Sequence, residues 1–374
     1  MRALRPVLGP DGNLQITDGE VTLRPAEDVI ELLQYAHALE LVPMLMTHGD
    51  SFRRRPGLLE RYLTEGELVE VSIHVDTTQR GRVGAAYKGA VHEAQLNPLR
   101  DEFVEILSKA QQATGRRLRA ATTMTVTREN LAGVTDVMRW LTSGQQVFRM
   151  ISFQPIAQVG RTEDGFGGGV TADALWTRIA ATLMHGDTQA ATALLESQVW
   201  FGHPSCNRIL HGLVAHRDGQ LPQFHALRPS ADAPHADTVA EFFARFGGVS
   251  FKTDTPRTAL ARALGMAVRA PGFVLGRLPA YAWHWLERLD PGHPVRALRD
   301  LLSGRLTVQP LVIVSHHFMS ADELTTDEGQ LRLAHCVFHV PIDGELKSMC
   351  EVNALGIRDA YYASLASAAV GAER

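Results

Sequence analysis

The sequence predicts an α/β protein: a partial (β/α) TIM-like barrel over residues 1–165, followed by a mostly helical domain over 166–374. Three observations predict it. A short strand-like run, a turn and an amphipathic helix recur from Leu14 to about Gly160. The strands of that repeat alternate apolar and polar residues, so each offers a polar face. The glycine-rich stretch Arg161-Thr-Glu-Asp-Gly-Phe-Gly-Gly-Gly169 then interrupts the rhythm and reads as a joint.

The predicted strands are Leu14–Thr17, Val42–Thr47, Leu68–Asp76, Leu118–Thr127 and Phe148–Pro155. Between them the spacing predicts helices over Ala26–Leu39, Gly57–Thr64, Leu99–Thr114 and Leu131–Thr142. In the first helix Val29, Leu32, Leu33, Ala36 and Leu39 follow helical spacing, and Pro25 suits a helix start. Such alternation implies a parallel sheet. Within Leu68–Asp76 the residues Val69, Val71, Ile73 and Val75 share one face, and Glu70, Ser72, His74 and Asp76 the other. Either that face is open to water, or the sheet curves around a polar cavity at the carboxyl ends of its strands; the second reading is preferred because βα units normally cover both faces. Five units are too few for the eight-stranded closed barrel.

Beyond the joint, helices are predicted over Ala172–Met184, Gln189–Ser197, Val239–Phe246, Arg257–Arg269, Ala280–Leu289, Val295–Leu302 and Ile357–Ala369. One strand is predicted at Leu306–Ser315, and strand and loop around Cys336 to Cys350.

At 374 residues and 45% hydrophobic composition the chain can fill one large or two ordinary cores. A formal charge of -4 argues against an extended nucleic-acid surface and favours small-molecule chemistry. No window has the apolar length of a transmembrane helix or the form of a signal peptide, so a cytoplasmic location is expected. Three cysteines do not make a disulfide framework, which leaves metal binding or no shared role.

"ITDGEVTLRP" at 16–25, "PMLMTHGD" at 43–50 and "VSIHVDTTQ" at 71–79 resemble the radical S-adenosylmethionine (radical SAM) enzymes over roughly residues 14–160. The resemblance implies that Thr17, Asp18, Gly19 and Glu20 hold the amino group of the methionine part of SAM, although Asp18 replaces a glycine and Val21 a proline of the family's pattern. It implies that Thr47 and His48 form the turn after the next strand, with His48 in place of asparagine. By the same comparison Ser72, His74 and Asp76 face the SAM ribose or the substrate, Thr125 and Asn130 the methionine carboxylate or ribose, and Gln154 the adenine.

That family ligates its SAM-cleaving four-iron four-sulfur (4Fe-4S) cluster through Cys-x3-Cys-x2-Cys, and no cysteine precedes Cys206. The expectation is a fragment whose first strand and cluster loop are missing and which is inactive alone; a genuine cluster-less homologue is the alternative. "WFGHPSCN" at 200–207 and "HCVFHVPIDGELKSMCEVN" at 335–353 resemble the C-terminal half of radical SAM proteins related to archaeal tetraether lipid synthase. This implies an auxiliary 4Fe-4S cluster on Cys206, Cys336 and Cys350, with His203, His335 or His339 as a further ligand. It also implies a lipid-like or other small-molecule substrate, and an electron donor for the intact enzyme. His316 and His317 alternate faces on a strand, so they are not expected to share one site.

Two other readings stand beside this one. His74 and Asp76 on one strand, with His48, His92 and His203, suit a metal-dependent barrel hydrolase. A non-catalytic SAM-binding or partner-binding remnant is the third.

Overall fold

The computed structural model describes residues 1–17, 19–79, 85–144, 147–159, 169–247 and 256–372. Asp18 and the predicted joint at 161–169, all but its last residue, lie outside the described residues.

Eight strands form one open sheet, in the order β1-β2-β3-β4-β5-β8-β6-β7. The strands are β1 Gly12–Ile16, β2 Leu41–Thr47, β3 Glu70–His74, β4 Arg119–Val126, β5 Phe148–Pro155, β6 Asn207–Arg217, β7 Gln223–Ala226 and β8 Leu306–His316. Strands β1 to β5 pair in parallel, β8 joins β5 in parallel, and β6 runs antiparallel to both β8 and β7. A separate hairpin pairs β9 His339–Ile342 with β10 Glu345–Ser348.

The predicted repeat of the first half is present. Its helices are Ala26–Ala38, Leu58–Thr64, Asn97–Thr114 and Val134–Thr142. Their apolar faces bury Val29, Leu33, Leu63, Phe103 and Leu107 against Leu45, Val71, Ile73 and Val126 of the strands. Apolar burial of this kind is the largest favourable contribution to the fold. Gly49, after β2, has φ +80°, and a Cβ there would lie 2.5 Å from the Phe103 ring, so the turn needs glycine.

The second half departs from expectation. It is rich in helix, but β6, β7 and β8 extend the sheet of the first half, and the β5–β8 pairing crosses the predicted division at residue 165. Of these three, only β8 coincides with a predicted strand, Leu306–Ser315. In β6, "NRILHGLVAHR", His211 and Gly212 break the apolar alternation, and Gly212 is required because the Phe224 ring would lie 2.1 Å from a Cβ there. Around the cysteines the predicted strand and loop is a hairpin followed by the helix Met349–Ala354, which carries Cys350 in its first turn.

Candidate functional site

The carboxyl ends of β1 to β5 gather most of the residues expected to bind a ligand, and the structure shows how these groups satisfy one another. Glu20 follows Gly19, whose φ is +56°, and caps the short turn Val21–Leu23. One carboxylate oxygen accepts from the Thr22 amide (3.1 Å), the Thr22 hydroxyl and the Thr47 hydroxyl; the other accepts from the His48 amide at 2.8 Å, with the His48 ring Nε2 at 3.3 Å. Burial pushes the Glu20 carboxyl upward, but the bonds from Thr22, Thr47 and His48 outweigh it and leave the group below the usual carboxylate range. Four donors occupy the roughly four acceptor positions of a carboxylate. Thr17 and Gly19 are exposed.

On β3 and β4 the Ser72 and Thr123 hydroxyls bond at 2.9 Å. Asp76 is buried. Its Oδ1 accepts from the Thr78 amide and hydroxyl at 2.8 and 2.7 Å, and its Oδ2 from the Thr125 amide at 2.6 Å and from the His74 ring. Burial raises its pKa, yet the His74 charge and these bonds prevail and hold it at about 2. The Thr125 hydroxyl lies 3.2 Å from His74 Nε2.

Asn130 closes the β4 turn. It accepts from the Thr127 amide at 2.8 Å and donates to the Thr125 carbonyl at 2.9 Å and to Glu93 at 3.2 Å. Glu93 in turn receives a bond from the buried Arg100 at 2.6 Å. Neither Glu93 nor Arg100 was singled out in the sequence. Gln154 is half-buried at the end of β5, two strands from His74.

The second cluster is assembled across long sequence distances. Cys206 immediately precedes β6, whose first residue Asn207 pairs with His316 at the carboxyl end of β8. Cys336 precedes β9, and Cys350 follows β10. Cys206, Cys336 and Cys350 line one small cavity of about 20 Å3, together with His316, His317, Phe318, Phe338 and Met349. His316 and His317 therefore do share a site, because β8 ends at His316 and strand alternation no longer governs His317.

Donors point at two of the sulfurs. Arg332 Nε lies 3.3 Å from Cys206 Sγ and the Met319 amide 3.4 Å from Cys350 Sγ, while Cys336 Sγ donates to the Phe338 carbonyl at 3.1 Å. Burial, and then the proximity of the other thiols, pushes the Cys336 and Cys350 thiols up. Burial also pushes His316 down to about 4, so its ring is neutral, and its Nδ1 is buried without a hydrogen-bond partner. A neutral imidazole beside three thiols is a metal-ligating set in kind.

Among the described residues no three His, Cys, Asp or Glu side chains stand within reach of one ion. The cavity between the thiols, at about 20 Å3, has room for about one water molecule. The same geometry leaves His48, His74, Asp76, His92 and His203 without a common ion: His92 caps the turn Glu93–Leu96, and His203 lies 3.6 Å from Glu328. His203, His335 and His339 do not line the thiol cavity.

A larger cavity of about 420 Å3 adjoins it, sharing Val337, Phe338 and Met349. Its lining includes Asn13, Leu14 and Gln15 of β1, Thr17 just after it, and Arg358, Tyr361 and Tyr362 near the C-terminus. Searched against protein-family models and against curated protein sequences, the chain matches none.

Proposed function

We propose that this protein is of radical SAM type, with β1 to β5 as a partial (β/α) barrel that binds SAM at its carboxyl edge, and with Cys206, Cys336 and Cys350 holding an auxiliary 4Fe-4S cluster. The observation that supports the reading is the meeting of all three cysteines in one cavity at that same edge of the sheet. Open parallel sheets place their ligands there.

The roles follow from which groups keep capacity for a ligand. The exposed backbone of Thr17 and Gly19 is the acceptor for the ammonium of SAM, and Glu20 fixes that backbone from beneath by gripping Thr47 and His48. His74, Thr125 and Gln154, all half-buried, face the nucleoside, and Asp76 orients His74. The 420 Å3 cavity joins Thr17 to the thiol cavity and takes the organic substrate, which its apolar walls suit to a lipid-like chain. In an intact form that also carries a SAM-cleaving cluster, the reaction class would be hydrogen abstraction from that substrate after reductive cleavage of SAM, with electrons from a separate donor. A bound 4Fe-4S cluster supplies one-electron chemistry. Residues 1–205 contain no cysteine to ligate a SAM-cleaving cluster, so residues 1–374 by themselves are proposed to bind SAM without cleaving it.

Equilibrium dialysis with labelled SAM, and anaerobic reconstitution with iron and sulfide, test the two halves separately. Saturable SAM binding, weakened by Gln154→Ala and Thr125→Val, is the expected result. Folded protein that retains neither SAM nor iron would overturn the proposal.

A further inference from the structure

No single helix among the described residues is long and apolar enough to cross a membrane, but the helix pair Arg257–Arg269 and Phe273–Leu289, bent by 111°, reaches that length and apolarity when taken together. The first helix of the pair is turned the wrong way for a soluble protein. Met266 packs inward on Phe246, Ala270 and Phe273. Leu260, Leu264 and Val268, spaced four apart and so on one face, point outward with 61%, 59% and 82% exposure. Leu275 and Trp283 continue the exposed apolar surface at 72% and 50%.

The charge around this surface is as unusual as its exposure. Within Arg257–Leu289 there are five arginines against one carboxylate, Glu287, in a chain whose total is -4, and Arg288 among them bonds the Ala226 carbonyl. Two of the arginines have carboxylate partners elsewhere: Arg262 lies 3.8 Å from Asp11, and Arg277 bonds Glu241. An outward stripe of aliphatic side chains with a tryptophan, set in a positively charged segment, matches a surface that is apolar inside and anionic at its face. A mostly apolar cavity of about 270 Å3 touches the second helix alone, through Leu278 and Tyr281, with Phe242 and Phe243 also in its walls.

We propose that the bent pair Arg257–Leu289 docks this protein on an anionic lipid bilayer, lying in the interface with Leu260, Leu264 and Val268 inserted among the acyl chains. The inference does not depend on SAM or iron binding. Arg257 and Arg269, both exposed on the first helix, meet the lipid phosphates or their surface potential.

Co-sedimentation of the full chain with vesicles of phosphatidylcholine alone, and with an even mixture of phosphatidylcholine and phosphatidylglycerol, tests this. The mixed vesicles should bring the protein down and the neutral ones should not, and binding should fall as salt is raised. The triple variant Leu260→Ser/Leu264→Ser/Val268→Ser should lose the binding while keeping its circular dichroism and melting temperature, because the three side chains are exposed. Arg257→Gln/Arg269→Gln should weaken binding about thirtyfold. Absence of wild-type protein from the mixed-vesicle pellet, or binding that the triple variant retains, would overturn the proposal. So would a dimer in light scattering that ignores vesicles and that the triple variant dissolves, since a second copy would then cover the face.

Discussion

The two polar clusters at the carboxyl edge of the sheet are built in opposite ways. Around Glu20, Asp76 and Asn130 the polar atoms come from turns that directly follow their strands, and they bond one another until few acceptors remain. Around Cys206, Cys336 and Cys350 the side chains arrive from three separate segments, and a buried imidazole nitrogen is left unbonded among them. Buried polar atoms without partners are costly, and the first network holds one as well, Arg100 Nε, as β5 does in Ser152 Oγ.

The comparison is sharpened most by the cysteines. After anaerobic reconstitution, each of Cys206→Ala, Cys336→Ala and Cys350→Ala should remove the broad visible absorption and the bound iron, about four per chain in the wild type. Full retention of iron in any one variant would show that the three thiols do not act together. His316→Ala should retain iron but shift the electron paramagnetic resonance spectrum of the reduced protein, and an unchanged spectrum would remove the imidazole from the site.

On the other side of the comparison the expected losses are of stability. Glu93→Ala leaves Arg100, 1% exposed, as an uncompensated buried charge and should cost about 3–5 kcal/mol in urea unfolding. A cost near zero would mean that the network is not tightly closed.

Asp76 predicts a pH signature. Its pKa in the folded protein, about 2, is below the ordinary 3.8, so its stabilisation is complete above about pH 4 and disappears as pH falls toward 2. The stability difference between wild type and Asp76→Asn should be about 2 kcal/mol near neutral pH and shrink through that acid window. A difference independent of pH would assign the effect to packing instead of charge.

The smallest effect is expected at Glu20. Glu20→Gln replaces one accepting oxygen by a donor facing the Thr47 hydroxyl or the His48 amide, and should lower stability by about 1–2 kcal/mol. If it abolished SAM binding without changing stability, the carboxylate itself would be the ligand contact.

The sequence by itself determined the five βα units, their parallel pairing and their polar edge. Those features rest on local periodicity, such as the alternation of Glu70, Ser72 and His74 against Val71 and Ile73, and on helix spacing from Val29 to Ala36. β5 is bounded as the spacing predicts, at Phe148–Pro155. Tertiary structure alone decided that β6, β7 and β8 extend that sheet, because pairing β8 beside β5 and β6 depends on contacts between residues 89 to 162 positions apart in the chain. It also decided that His316 and His317 meet the cysteines, that Arg332 reaches Cys206, and that Glu20 is already occupied. Periodicity reports which face a side chain takes on its own element; which other groups share that face follows only from how the elements pack.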